Sequence, residues 1–252
     1  MGLPQLPPGM SLAAYETVTS TNDEAKFLAV KNSAPEGTVV WAKEQTAGRG
    51  RMSRKWESRP GNLYSSIILR PFGSLADAAQ IAFLPALAVG EMLKMFTPTS
   101  NYSFKWPNDV LLNQKKISGI LLESGDWTQT ASKWLVTGCG INLIHSPTET
   151  QFPATSILKE TEINIPVEEA LLAYSSFLFD WYKKWKISGF SAVREAWLKN
   201  AIGFNKGLTV ECRGQLFNGH FVGLDPRGAL ELKTENGIRI IEAGDVYLAD
   251  EF

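Results

Sequence analysis

Apolar and polar positions along this chain follow two rhythms, and the change between them divides it into a long first part and a short last one. Near the start, Thr21 and Glu24 stand at capping-box spacing ahead of Ala25, Phe27, Leu28 and Ala29, which predicts a helix fading near Lys31 or Asn32. A continuous apolar run at residues 37–42 and an alternating one at 62–70 predict two strands, with a glycine- and arginine-rich loop after the first. The longest apolar stretch, residues 75–96, predicts a core helix. Pro85 lies inside it, and because proline removes an N–H and crowds the preceding turn, a kink is expected near Leu84.

Short strands are predicted at 102–106, 110–112 and 117–123, around turns at Pro107-Asn108-Asp109 and Asn113-Gln114-Lys115, and a further strand at 134–144. Pro166 opens a helix reaching Lys186 that is acidic at its start and basic at its end, as the helix dipole prefers, and a shorter helix follows at 191–200. After Gly203 the rhythm turns to short strands at 208–212, 215–224, 229–233 and 238–241, with turn signals at Asp225-Pro226-Arg227-Gly228 and Asn236-Gly237. A boundary near Asn205 is expected, with 1–204 forming one domain and 205–252 a small barrel.

Composition narrows the classes. With 252 residues, 44% hydrophobic and 20% charged, the chain is long enough for a large core and unlike a disordered one. Lys+Arg 25 against Asp+Glu 26 leaves no global field to draw it to nucleic acid or an anionic membrane. The first residues lack the basic and apolar regions of a signal peptide, and no run approaches 18 consecutive apolar residues, so a cytoplasmic protein is expected. Two cysteines, Cys139 and Cys212, make no disulfide framework, and two histidines, His145 and His220, lie too far apart for a helical zinc pair.

Candidate chemistry begins with Gln45-Thr46-Ala47-Gly48-Arg49-Gly50-Arg51-Met52-Ser53-Arg54-Lys55-Trp56. Glycines let backbone N–H groups turn toward one point, guanidiniums match phosphate or carboxylate oxygens, and an aromatic beside them can stack on a base. Alone, the segment reads equally as a solvated basic loop. Lys116 starts an apolar strand beside Gly119, where a substrate can approach the backbone, although a solvated hairpin lysine has the same pattern. Thr21 fits either a cap or a ligand contact, Trp56 either a ligand platform or a core residue, and Asn142 either a ligand contact or a strand relieved by Gly138 and Gly140. Neither a G-x-x-x-x-G-K-[ST] loop nor a complete dinucleotide fingerprint is present, which disfavours P-loop and Rossmann enzymes.

Ser20-Thr21-Asn22, the Gly-Arg loop, Lys105-Trp106-Pro107-Asn108-Asp109, Lys115-Lys116-Ile117-Ser118-Gly119-Ile120-Leu121 and Gly138-Cys139-Gly140-Ile141-Asn142 follow one another in an order that resembles biotin protein ligase. Members of that family adenylate biotin with ATP and attach it to a lysine of a carrier domain. The likeness runs from Ser20 to about Asn142 and more loosely to the C-terminus. It implies an α+β catalytic domain like that of class II aminoacyl-tRNA synthetases, with a mixed sheet backed by helices, and a C-terminal SH3-like β-barrel. It places biotin against Ser20, Thr21, Asn22, Gln45, Arg49, Gly50, Arg51, Lys116 and Gly119, and ATP against Arg49, Arg51, Arg54, Trp56, Asn108, Lys116 and Asn142. Lys116 is then the contact to biotin's carboxylate and the adenylate phosphate, Arg51 lies in the loop that closes over the adenylate, and Asp109 orients the acceptor amine.

Biotin and ATP are the implied small molecules. Magnesium is expected with the phosphates, with no protein ligand to name, and the implied partner is the biotin carboxyl carrier domain of acetyl-CoA carboxylase or a related carboxylase. A monomer or homodimer without specific nucleic acid or membrane contacts is expected. Some members carry an N-terminal helix-turn-helix; the 19 residues before Ser20 are too few for one, so the expectation is a monofunctional ligase. The rival readings are a lipoate or octanoate ligase, which shares the fold, and a biotin-binding homologue without catalysis.

Overall fold

The computed structural model describes residues 4–31, 34–125, 134–150 and 152–248. Seven strands, β1 (Ser11–Val18), β2 (Thr38–Gln45), β3 (Leu63–Leu69), β4 (Tyr102–Lys105), β5 (Asp109–Leu112), β6 (Lys115–Ser124) and β7 (Leu135–Ile141), form one sheet in the order β1-β2-β3-β7-β6-β5-β4. Only β1 and β2 run parallel within it; the other pairs are antiparallel. The sheet is therefore mixed, and each face meets a different set of helices.

On one face lie α3 (Leu84–Phe96), α5 (Val167–Ser188) and α6 (Phe190–Leu198), closing a core around Leu84, Val89, Met92, Leu171, Leu178, Trp197 and the inward side chains of the strands. On the other, α1 (Thr21–Lys31) covers only the β2, β3 and β7 region, through Ala25 and Ala29 against Val40, Ile68 and Val136. That partial cover leaves the rest of the second face open beside the N-terminal end of α1.

The apolar stretch at 75–96 is not one kinked helix. It is α2 (Leu75–Ala79), a 3-10 turn at Gln80–Phe83, and α3, with Pro85 in the first turn of α3, where its missing N–H leaves no bond unmade. By length and composition Asp77–Phe96 could cross a membrane; in the fold most of its apolar stretch is buried in the protein core. The capping box expected of Thr21 and Glu24 is also absent. Glu24 instead accepts a hydrogen bond from Tyr15 Oη at 3.0 Å, and Thr21 turns toward Gln45. Asn32, one of the two expected helix ends, lies outside the described residues.

β7 stops at Ile141, short of the expected 144: the Asn142 N–H still donates to Ile117 of β6, but its carbonyl is taken by the N–H of Ile157, the first residue of α4 (Ile157–Thr161). A second, antiparallel sheet follows α6: β8 (Gly207–Cys212), β9 (Gln215–Leu224), β10 (Leu230–Thr234), β11 (Gly237–Ile241) and β12 (Asp245–Leu248), in the order β11-β10-β9-β8-β12. Neither β1, α4 nor β12 was anticipated by the hydrophobic rhythm. The second sheet does not stand apart: Trp106 Nε1 donates to the Gly228 carbonyl at 3.0 Å, Gln80 Nε2 to that of Pro226 at 2.9 Å, and Phe221 joins the main core.

Candidate active site

The open part of the second sheet face forms a cleft of about 400 Å³. Its floor lacks side chains for a sequence reason: Gly119 of β6 and Gly140 of β7 are register partners, and the Trp56 indole lies over both where Cβ atoms would stand. Gly138, two positions along β7, leaves room for Asn22 in the same way. Removing Cβ atoms from one sheet face is what allows a flat group to rest on the backbone.

Lys116 reaches this face because of a bulge. The β5–β6 register shifts between Val110 and Leu111, so that two consecutive residues, Ile117 and Ser118, both turn inward: Ile117 joins the core, and Ser118 Oγ lies 3.3 Å from Cys139 Sγ. Alternation resumes one residue out of step. Lys116 then shares the face of Gly119, with Nζ 2.6 Å from Asp109 Oδ1 and 5.6 Å from the centre of the Trp56 ring. The Lys116–Asp109 contact is an ion pair whose angles are not those of a hydrogen bond to Oδ1.

Across from it the Gly-Arg loop forms a small hairpin. Arg49 bridges Lys55, Gly50 N–H donates to the Arg54 carbonyl at 2.7 Å, and Trp56 N–H to that of Gly48 at 2.9 Å, with Met52 and Ser53 at positive φ forming the tip. The three arginines then diverge. Arg51 Nη1 donates to Asn108 Oδ1 at 3.2 Å, and burial pushes the guanidinium's pKa down while Asp245 and Asp109 oppose that shift. Arg54 pairs with Asp245 of β12, and Arg49 with Asp23 of α1 at 2.5 and 2.7 Å. Asn108 Nδ2 donates to the Ile120 carbonyl at 2.7 Å, which holds the turn against β6. Two cations, Arg51 and Lys116, therefore meet successive turn residues, Asn108 and Asp109.

The N-terminal end of α1 supplies the polar side wall. Gln45 Oε1 accepts from Thr21 N–H at 2.8 Å and from Thr21 Oγ1 at 3.2 Å, while its Nε2 donates to Ser58 Oγ at 2.8 Å. Ser66 Oγ lies 2.8 Å from Thr21 Oγ1 and 2.6 Å from Asn22 Oδ1, and Asn22 Nδ2 donates to Glu123 at 2.7 Å. These bonds orient Thr21, Asn22 and Gln45 firmly. Asn142, buried, lines the cleft and donates from Nδ2 to the Thr155 carbonyl at 3.1 Å.

All fourteen residues singled out by sequence, from Ser20 to Asn142, line this one cleft. Sequence reasoning passed over others on its wall. Lys105 is buried there with Nζ 3.9 Å from the Phe152 ring centre, and Asp245 and Val246 arrive from the second sheet. Lys105 opens the Lys-Trp-Pro-Asn-Asp motif and was visible in it; nothing local to Asp245 points to the cleft. Cys139, fully buried under the sheet, has its thiol pushed up to about 11 by desolvation, so it is a packing residue and no nucleophile.

Residues 14–142 match the biotin/lipoate A/B protein ligase family, and residues 204–249 match the biotin protein ligase C-terminal domain. The biotin--[acetyl-CoA-carboxylase] ligase of Paracoccus denitrificans is 35% identical over 90% of this chain and 96% of its own length. This chain belongs to the biotin protein ligase family. Another member, the bifunctional ligase/repressor BirA of Bacillus subtilis, is 34% identical over 95% of this chain and 74% of its own. The biotin protein ligase from Aquifex aeolicus, solved in complex with biotin and ATP, superposes with a TM-score of 0.79 at 30% identity, covering 94% of this chain and 97% of that one. The likeness to this family thus spans both sheets.

Proposed function

We propose that this chain is an ATP-dependent biotin protein ligase. It activates biotin to biotinyl-5′-AMP and transfers the biotinyl group to a lysine of a biotin carboxyl carrier domain. The observation that carries this reading is the convergence of Lys116 and Arg51 on the Asn108-Asp109 turn above a floor of glycines. In the first step a carboxylate oxygen forms a bond to the α-phosphorus and pyrophosphate leaves. Both partners are anions, so their approach must be offset by fixed positive charge, which is worth most where water is excluded. Lys116 serves the carboxylate and the phosphate together, with Asp109 as its counter-ion until they arrive, and Arg51 serves the phosphate from the flap side. Trp56 offers the adenine a flat face, and Asn108 and Asn142 its hydrogen-bonding edge.

In the second step the lysine amine attacks the carbonyl carbon, the acyl–oxygen bond breaks and AMP leaves, with Asp109 orienting the amine. The oriented Thr21–Gln45 pair and Ser20 hold the polar ring of biotin. Among the described residues no three His, Cys, Asp or Glu side chains gather into a metal cage. In this reading magnesium arrives with the phosphates, as MgATP. Within this reading residues 1–204 form a catalytic domain with a class II synthetase-like sheet, and 205–252 an SH3-like domain; the carrier is that of acetyl-CoA carboxylase or a related carboxylase. Purified protein incubated with labelled biotin, ATP and a carrier domain should give ATP-dependent label on one lysine. Transfer of octanoate or lipoate in place of biotin would overturn it, as would binding of biotin without turnover.

A further inference from the structure

The Gly-Arg flap carries three arginines in six residues, and the structure gives them different tasks. We infer that Arg49 is a positioning residue: its guanidinium fastens the base of the flap to α1 through Asp23 and does not contact the substrate anions. Three observations carry this, given the ligase reading of the cleft. First, both guanidinium ends are engaged, Nη1 and Nη2 on the two Asp23 oxygens at 2.5 and 2.7 Å, with Glu123 3.7 Å away. Second, the acceptor is itself held in place, because Lys26 Nζ lies 2.8 Å from both Asp23 and Glu123, and Glu123 also accepts from Asn22. The four charges cancel, so no unpaired positive charge is left for a ligand. Third, although Arg49 borders the cleft, the partners its guanidinium meets, Asp23 and Glu123, are not among the described residues that line it, so its charged end is committed to a cluster beside the cleft.

A bidentate arginine–carboxylate pair is the strongest and most directional of side-chain ion pairs. Its effect on Asp23 is visible as a carboxyl held far below the usual range, with the Arg49 hydrogen bond as the largest favourable cause. Because Arg49 bridges Lys55 across the hairpin, anchoring it holds both legs of the flap, with the turn at Arg51–Ser53 between them. Arg51 is thereby presented to the ligand from a held base.

The test compares Arg49→Asp, Asp23→Arg, the double exchange and the mild variant Asp23→Asn in the full chain. Flap order is read without ligand by hydrogen exchange at residues 46–56, and function by the release of biotinyl-5′-AMP into solution and by KM and kcat. An anchor predicts that each single variant raises flap exchange and adenylate release about fivefold to tenfold, the range of a well-formed ion pair. The double exchange restores part of both, since Lys26 and Glu123 then face like charges. An anion contact predicts the opposite pattern: ligand-free exchange unchanged, Asp23→Asn binding substrate better because Arg49 is released, and the double exchange as impaired as Arg49→Asp. Any of those three results overturns the inference. If the parent enzyme proves inactive on biotin, the ligase reading fails instead, while the exchange data on the ligand-free protein still decide the role of Arg49.

Discussion

Lys116 shows how much of a site can depend on one side chain's direction. Its charge is balanced by Asp109 at 2.6 Å, and its neighbours on that face are a glycine and an indole, neither of which offers it a second partner of opposite charge. Replacing it with alanine removes positive charge where two anions must meet, and leaves a partly exposed Asp109. Adenylate formation, followed as pyrophosphate release, should fall by about 100-fold or more, while stability changes by no more than about 1 kcal/mol. Adenylation at the parent rate would exclude Lys116 from the reaction. Thr21, Asn22 and Gln45 illustrate the complementary case of side chains held by neighbours. Mutual hydrogen bonds fix their orientation before any ligand arrives, which reduces the entropy lost on binding.

At the scale of elements, the β5–β6 hairpin that bears Lys116 is stapled to the segment leading into α4. Glu160 accepts from Thr155 Oγ1 at 2.7 Å, Asn113 Nδ2 at 2.9 Å and Lys115 Nζ at 3.0 Å. These bonds, Thr155 foremost, lower its pKa from 4.5 to about 2. A carboxyl depressed in the folded state stabilises it fully above the unfolded pKa and loses that effect as pH falls through the folded one. Glu160→Gln should therefore melt below the parent at neutral pH, and the gap should close as pH is lowered from about 4.5 to 2. A gap that is constant across this range would show that Glu160 contributes packing and no charge. The flap follows the same logic of attachment, its base on α1 and its Arg54 on β12, with a short tip between.

Across the whole molecule, the two sheets share one core. Phe221 is buried against Phe204, and Leu208, Val210 and Leu230 of the second sheet continue the cluster that includes Trp197 and Phe104 of the first. A common core makes unfolding of either part expose the other. Calorimetry should accordingly give a single transition, and Phe221→Ala should destabilise the entire chain by about 3–5 kcal/mol. Two resolved transitions, with only the later one affected, would contradict this.

What the amino-acid order determined by itself was local. Alternation and turn residues located most strands, Pro166 the long helix, and the spacing of motifs the family and its fourteen candidate residues. Where prediction went astray, a local signal was outweighed by a distant partner. Glu24 joined Tyr15 and Thr21 joined Gln45. Only the tertiary structure decided that a bulge brings Lys116 to the open face, that the three arginines of one loop point to three different partners, and that Asp245 from the last strand closes the rim. Side-chain direction depends on register and on charges far away in sequence, and neither is written in the hydrophobic rhythm.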